Sequence, residues 1–198
     1  VISILEGFIG DDLKQLYVDL YTDADLAGDP IALKSSSGIF VAISGDNSFC
    51  PANAQAKKQE AQSHSTTEAE IVAAFFGISS EGIPILDLLT ELRRLRGETN
   101  PKPKCYFGED NTATIQVMKA GYSQKLRYLN RTHKIDIAWI NWVFNNVDGM
   151  VLYHCATDKQ RADILTKAFV VSDKFEHARR LVGITAPGEK NMESQLAQ

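Results

Sequence analysis

The chain has 198 residues, 44% of them apolar and 23% charged, with a formal net charge of −4. This is the composition of an ordinary globular domain with a sizeable core, and no apolar run approaches the ~20 residues a bilayer needs, so a soluble, intracellular protein without a signal segment is expected. Cys50, Cys105 and Cys155 lack CxxC spacing, which excludes a disulfide framework and a zinc knuckle and reads as reduced thiols.

Residues 1–15 read as a connector from an upstream domain. Leu16, Val18, Leu20 and Thr22 then alternate with Tyr17, Asp19, Tyr21 and Asp23, the period of a strand with one buried face, and Asp23 falls at its end. Gly38 to Ser44 reads as a second strand, Gly45-Asp46-Asn47 as a turn, and Ser48 to Ala56 as a third strand interrupted by Pro51, which makes an antiparallel meander. Ser65-Thr66-Thr67-Glu68 has capping-box spacing, and Ile71, Val72, Ala74, Phe75 and Ile78 follow at helical intervals, so a helix is predicted from about Thr66. Gly82 and Pro84 break or kink it, and Pro84 suits the first turn of a second helix that ends before Gly97.

Lys104 to Phe107 is a short strand that delivers Asp110 to its exit, after which Asn111 or Thr112 caps a helix running to about Lys119. His133 to Asn146 carries Ile135, Ala138, Trp139, Trp142 and Val143 at helix spacing, and Asp148-Gly149 turns into a strand from Met150 to Cys155. Thr157 to Gln160 repeats the capping-box pattern and opens a helix that holds Asp163. Residues 16–185 thus make one α/β domain with a five-stranded mixed sheet flanked by helices, and the polar residues 186–198 a flexible tail.

Charge is segregated along the chain. Residues 1–30 hold Glu6, Asp11, Asp12, Asp19, Asp23, Asp25 and Asp29 against Lys14, whereas residues 111–135 hold Lys119, Lys125, Arg127, Arg131 and Lys134 with no acid. An acidic pole and a basic stretch therefore coexist despite the negative net charge, which keeps a nucleic-acid ligand open. The chain begins at Val1, as a segment of a longer polyprotein or a trimmed chain would.

Four acidic motifs occur in a fixed order: Tyr21-Thr-Asp-Ala-Asp25, Ser65-Thr-Thr-Glu-Ala-Glu70, Gly108-Glu-Asp-Asn111 and Arg161-Ala-Asp-Ile-Leu-Thr-Lys167. Each sits where an apolar run meets a turn or helix start, so a fold could gather their carboxylates at one sheet edge. Hard oxygen ligands of this kind suit Mg²⁺ or Mn²⁺ rather than zinc. Each acid has a duller alternative: Asp23 as a solvated strand end, with Asp25 the nearest competitor for its role; Glu70 as a helix cap, with Glu68 its competitor; Asp110 as a cap for the next helix, with Glu109 adjacent as a further candidate for the metal site; and Asp163 as a favourable charge at a helix N-terminus.

The order, spacing and flanks of these motifs resemble the ribonuclease H domain of copia-type (Pseudoviridae-like) LTR retrotransposon Pol polyproteins, over roughly residues 17–185. Lys34-Ser-Ser-Ser-Gly38, Lys57-Lys-Gln59, Arg131-Thr-His-Lys-Ile-Asp-Ile137 and Ala162-Asp-Ile-Leu-Thr-Lys-Ala-Phe169 belong to the same set. Thr132-His133-Lys134 departs from the family's usual Thr-Lys-His order. The resemblance implies a ribonuclease H-like fold and a two-metal endonuclease, using Mg²⁺ with Mn²⁺ as substitute, that hydrolyses the RNA strand of RNA/DNA hybrids during reverse transcription. It puts Asp23, Glu70, Asp110 and Asp163 in the catalytic and metal-binding positions, with Glu70 preferred to Glu68 because apolar residues follow it directly. Asn111 is the candidate for reading the 2′-hydroxyl, and Lys57, Lys58, Lys125, Arg127 and Arg131, with Tyr122 and Tyr128 interleaved, are candidates for the substrate phosphates. The implied partners are the hybrid and the reverse transcriptase of the same polyprotein, in the cytoplasm or a virus-like particle, with no membrane. The alternative is a catalytically silent tether that only grips the hybrid beside the polymerase.

Overall fold

A nine-residue strand, β3 (Tyr17–Asp25), organises the molecule, because it is hydrogen-bonded on both sides and covered on both faces. The computed structural model describes residues 3–29, 31–186 and 189. Antiparallel to β3 runs β4 (Ser36–Gly45), and antiparallel to that β5 (Ser48–Lys58); on the other side β6 (Cys105–Glu109) and then β7 (Met150–His154) run parallel to β3. Three meander strands followed by two parallel ones make the ribonuclease H-like mixed sheet that the resemblance implies.

Two short elements from the presumed connector add to it. β1 (Ile4–Leu5) pairs with β8 (Ile184–Thr185) in a separate ribbon, and β2 (Phe8–Ile9) pairs with Ser48 and Phe49, so the main sheet has six strands rather than five. Strands of two residues leave no periodicity to read. Pro51, which has no N–H for a ladder, sits opposite Ala42 where the β4–β5 register shifts, beyond the end of β2. Among the positions expected in the tail, only Ala186 and Glu189 lie within the described residues.

The even residues of β3, Val18 and Leu20, are fully buried against Ile71, Val72, Ile78, Leu86 and Leu89 of the helices α1 (Thr66–Gly77) and α2 (Ile83–Leu95). Burying each such side chain contributes roughly 1.5–3 kcal/mol. The odd face was expected to be open, but Tyr21 joins Phe40, Phe49, Cys155, Ala162 and Val182 in a second core. The chain from Cys155 onward folds back across the sheet, and the alternation of β3 records polarity of side chains rather than exposure.

Residues 66–95 form one 30-residue helical stretch, apolar and long enough by composition to cross a membrane, half of whose apolar length is buried within the protein. Gly82 and Pro84 do not break it. A π-helical turn, Ile78–Gly82, lets the Ile83 N–H reach back to the Ile78 carbonyl just before Pro84, whose missing donor is thereby tolerated. Gly77 lies so close to β3 that a Cβ there would meet Thr22 Cγ2 at 2.4 Å, so glycine sets the distance between helix and strand. At the far end Arg93, buried, donates to the carbonyls of Leu13, Lys14 and Leu16 at 3.0, 2.7 and 2.6 Å and anchors the chain leading into β3.

After β6 come α3 (Thr112–Ala120), the short α4 (Leu129–Thr132) and α5 (Ile137–Asn146). The helix expected from His133 starts four residues later, because Lys134 adopts a left-handed conformation (φ 59°) and Asp136 caps the Ala138 N–H at 2.9 Å. The helix expected around Asp163 is instead a pair of 3₁₀ turns, Thr157–Lys159 and Arg161–Leu165, and regular helix resumes only at α6 (Ser172–Leu181).

Candidate active site

Asp23 lies near the end of β3 and is 2% exposed; Glu70, in the second turn of α1, is 4% exposed and reaches the backbone N–H of Ala24. Asp110 immediately follows β6, and since Tyr21 pairs with Gly108, continuing that register by two residues brings Asp110 beside Asp23. Asp163 arrives from the 3₁₀ turn. The four carboxylates converge at the end of the two central strands: burial first, and then the charges of Glu109, Asp23 and Asp110, push the Glu70 carboxyl well above the usual carboxylate range. Burial likewise raises Asp163 to about 6, with the Lys167 bond opposing and the charges of Asp23 and Asp110 adding to the rise.

Three residues of the motifs join this site without having been assigned a place in it. Glu109 is fully buried, accepts from the Asn111 N–H at 3.0 Å, and is raised by burial foremost. Thr166 donates its hydroxyl to Asp23 Oδ2, and Lys167 Nζ stands 2.6 Å from Asp163 Oδ1 and 3.6 Å from Asp23 Oδ1. The presence of Thr-Lys in the Arg161–Lys167 motif was visible, but its reach across the sheet depends on contacts more than 140 residues apart in sequence.

Buried amides and one glycine hold the pieces together. Gln160 donates to the Thr22 carbonyl at 3.1 Å and Gln59 donates to Ser37 Oγ and to the Ala69 carbonyl, both at 2.9 Å, so the 3₁₀ turn is tied to β3 and α1 to β4 next to the acids they carry. Gly38, paired with Asp23 across the β3–β4 ladder, has Ala162 O and Leu165 Cβ 3.0 Å from where a Cβ would stand and Thr166 Cγ2 at 2.8 Å. Any side chain there would lift the turn off the sheet and Asp163 with it.

Glu68, the competitor of Glu70, belongs to a different cluster. Ser65 caps α1 by accepting from the Glu68 N–H at 3.1 Å, while the Glu68 side chain accepts from the His64 N–H and from the Tyr128 hydroxyl, each at 2.7 Å. Its other oxygen lies 3.3 Å from His133 Nε2, and both side chains are almost wholly buried. Glu68 thus pins the segment before α5 to the start of α1, which gives Tyr128 and His133 a packing role. Asp25 is only half-buried at the strand end.

The substrate candidates are dispersed. Asn111 caps α3, its Oδ1 accepting from Ala113 and Thr114 N–H groups at 3.0 and 3.3 Å. Lys57 lies over the Phe76 ring at 5.6 Å, and Lys58 is ion-paired with Asp29. Lys125 and Arg127 are exposed on the connection from α3 to α4, and Arg131 is exposed on α4. Beside Asp163 and Lys167 opens a groove of about 780 Å³ lined also by Phe169, Val171 and His177.

The residues fit a hard divalent cation by chemistry: acid oxygens converge, and Glu70 Oε2 and Glu109 Oε2 are buried without a hydrogen-bond partner. Among the described residues no three acidic, histidine or cysteine side chains are yet closed around a single point.

No family model matches the chain. It is 33% identical over 190 residues, 93% of its length, to the retrovirus-related Pol polyprotein from transposon TNT 1-94 of Nicotiana tabacum, of whose length it spans 13%. Among solved structures, the LC11 ribonuclease H1 isolated from compost by a metagenomic approach is 21% identical with a TM-score of 0.46, covering 75% of this chain and 91% of that one. The same enzyme in complex with an RNA/DNA hybrid is 19% identical with a TM-score of 0.43, covering 75% and 92%.

Proposed function

We propose, for a chain related along most of its length to one segment of a retrotransposon Pol polyprotein, that its gathered carboxylates hydrolyse the RNA strand of an RNA/DNA hybrid. The observation that carries this reading is the convergence of Asp23, Glu70, Asp110 and Asp163 at the end of β3 and β6 around two unpartnered buried oxygens. A tether has no use for buried acids that repel phosphate.

Asp23, Asp110, Glu70 and Asp163 would hold the divalent ions, with Glu109 beside them. Bound there, divalent ions would supply the Lewis acidity for attack of water on a phosphodiester and for stabilising the leaving 3′-oxygen. The chain contributes the rest. Glu70, whose proton is held by burial and by its neighbours, would have to release it to ligate a cation, so metal binding would be coupled to pH. Gln59, Gln160 and Gly38 hold the acids in place, and Lys125, Arg127 and Arg131 grip the backbone by counterion release, without regard to base sequence.

A gel assay on labelled hybrid, with Mg²⁺ or EDTA, tests this for the chain alone and joined to its polymerase. Expected is Mg²⁺-dependent cleavage of the RNA strand alone, leaving 5′-phosphate and 3′-hydroxyl ends. Cleavage indifferent to EDTA would overturn the mechanism, and hybrid binding without cleavage in both forms would leave the tether.

A further inference from the structure

Lys167 takes no part in the chemistry above, yet its ammonium stands among the acids. It bridges Asp163 Oδ1, at 2.6 Å, and Asp23 Oδ1, at 3.6 Å, while the neighbouring Thr166 hydroxyl takes the other Asp23 oxygen. The position is built: the Lys167 N–H bonds the Asp163 carbonyl at 2.9 Å, and Ile164 and Leu165 between them pack against the Tyr21 and Phe40 core. The two carboxylates it joins are nearly buried, 3% and 14% exposed, whereas the lysine itself is 42% exposed and has water to retreat into.

We propose that Lys167 is the resident counter-cation of this site, neutralising Asp23 and Asp163 until divalent ions displace it. This rests on the metal-site reading above. Two carboxylates held this close repel each other unless a positive charge lies between them. A lysine suits a temporary occupant, being a compact point charge on a flexible stem, whereas a planar arginine fork would hold a carboxylate in two bonds. Divalent ions and Lys167 compete, and the site's apparent affinity for Mg²⁺ is set partly by that competition.

The test is Mg²⁺ titration by calorimetry, with thermal melts in EDTA and in saturating Mg²⁺, on the full chain and on Lys167→Gln and Lys167→Arg. Lys167→Gln should bind Mg²⁺ roughly five- to tenfold more tightly, melt earlier than wild type in EDTA, and close that gap in Mg²⁺. Lys167→Arg, which keeps the charge and grips harder, should bind Mg²⁺ more weakly than wild type, and it carries the test should the glutamine variant not fold. A glutamine variant whose melting deficit is the same with and without Mg²⁺, at unchanged affinity, would make Lys167 a structural pin and overturn the proposal. Unchanged Mg²⁺ affinity with weakened hybrid binding would overturn it in favour of a phosphate contact. Absence of Mg²⁺ binding in the wild type and both variants would instead sink the metal site itself, and this inference with it.

Discussion

Glu68 and Glu70 stand two residues apart on one helix, both acidic and both buried, in opposite circumstances. Glu68 accepts from the His64 N–H and the Tyr128 hydroxyl on one oxygen and has the His133 ring 3.3 Å from the other. Glu70 faces other acids and holds its proton far above the normal range. Burial of a carboxylate is therefore no sign of function by itself. What separates a structural acid from a site acid is what faces it: hydrogen-bond donors at Glu68, other carboxylates at Glu70.

The widest separation between the two should appear on substitution. Asp110→Asn should abolish cleavage while raising the melting temperature in EDTA, since it removes a charge from a self-repelling group; Glu70→Gln should abolish cleavage with little change in that melting temperature near neutral pH, where Glu70 already holds its proton. Asp23→Asn should abolish cleavage with less gain, because it also gives up Lys167. A variant that loses activity and melts several degrees earlier without metal would return that acid to the structural class.

Glu68→Ala should do the reverse, destabilising the fold by about 2 kcal/mol by removing the acceptor of the His64 N–H and the Tyr128 hydroxyl. Tyr128→Phe should lose only about 1 kcal/mol. Denaturant melts check both, and Glu68→Ala protein that remains folded at low temperature should retain Mg²⁺ binding. Gly38→Val should fall between the classes: the β-sheet survives, but the turn bearing Asp163 is pushed away, so cleavage falls more than stability does.

A finer distinction lies in pH. Asp163 is raised from 3.8 to about 6, so its contribution to stability is fully present below about 3.8 and is lost as pH rises through about 6. Glu70 and Glu109 shift in the same direction and extend the loss upward. Melting temperature in EDTA should thus decline as pH rises from about 4, and Mg²⁺ should flatten the decline; a decline equally steep with Mg²⁺ would separate the titrating acids from the ion site. The smallest effect on chemistry belongs to the basic connection. Neutralising Lys125, Arg127 and Arg131 together should flatten the log-affinity against log-salt slope for hybrid by up to about 3 units, with turnover at saturating hybrid little changed.

The sequence carried the acids better than their surroundings. Strand ends and helix starts fix where Asp23, Glu70, Asp110 and Asp163 emerge, and those are local signals. Their partners are not local: Thr166 meets Asp23, Tyr128 meets Glu68, and Gln160 meets Thr22 only after the sheet has formed, so nothing in spacing announces them. The resemblance preferred Glu70 to Glu68 on the apolar residues that follow it, but what occupies Glu68 instead, Tyr128 and His133, lies sixty and more positions away. The elements misplaced from sequence have equally physical causes: β1, β2 and β8 are too short to show a period, Lys134 interrupts an otherwise helical pattern with a left-handed residue, and the chain around Asp163 is wound more tightly than its capping box suggests.

The long helical stretch over the sheet works as a ruler. Near one end Glu70 meets the exit of β3 at Ala24; near the other Arg93 grasps the chain where β3 begins. The π-helical turn between them fixes both the span and the rotation of the second half. Deleting one residue of α1 after Glu70 would turn everything beyond it by about 100°. Arg93 would leave its carbonyls and Leu86 and Leu89 the core, though neither touches an active-site acid. In this stretch it is the number of residues that is constrained, and the alignment of Asp23 is calibrated from the opposite end of its own strand.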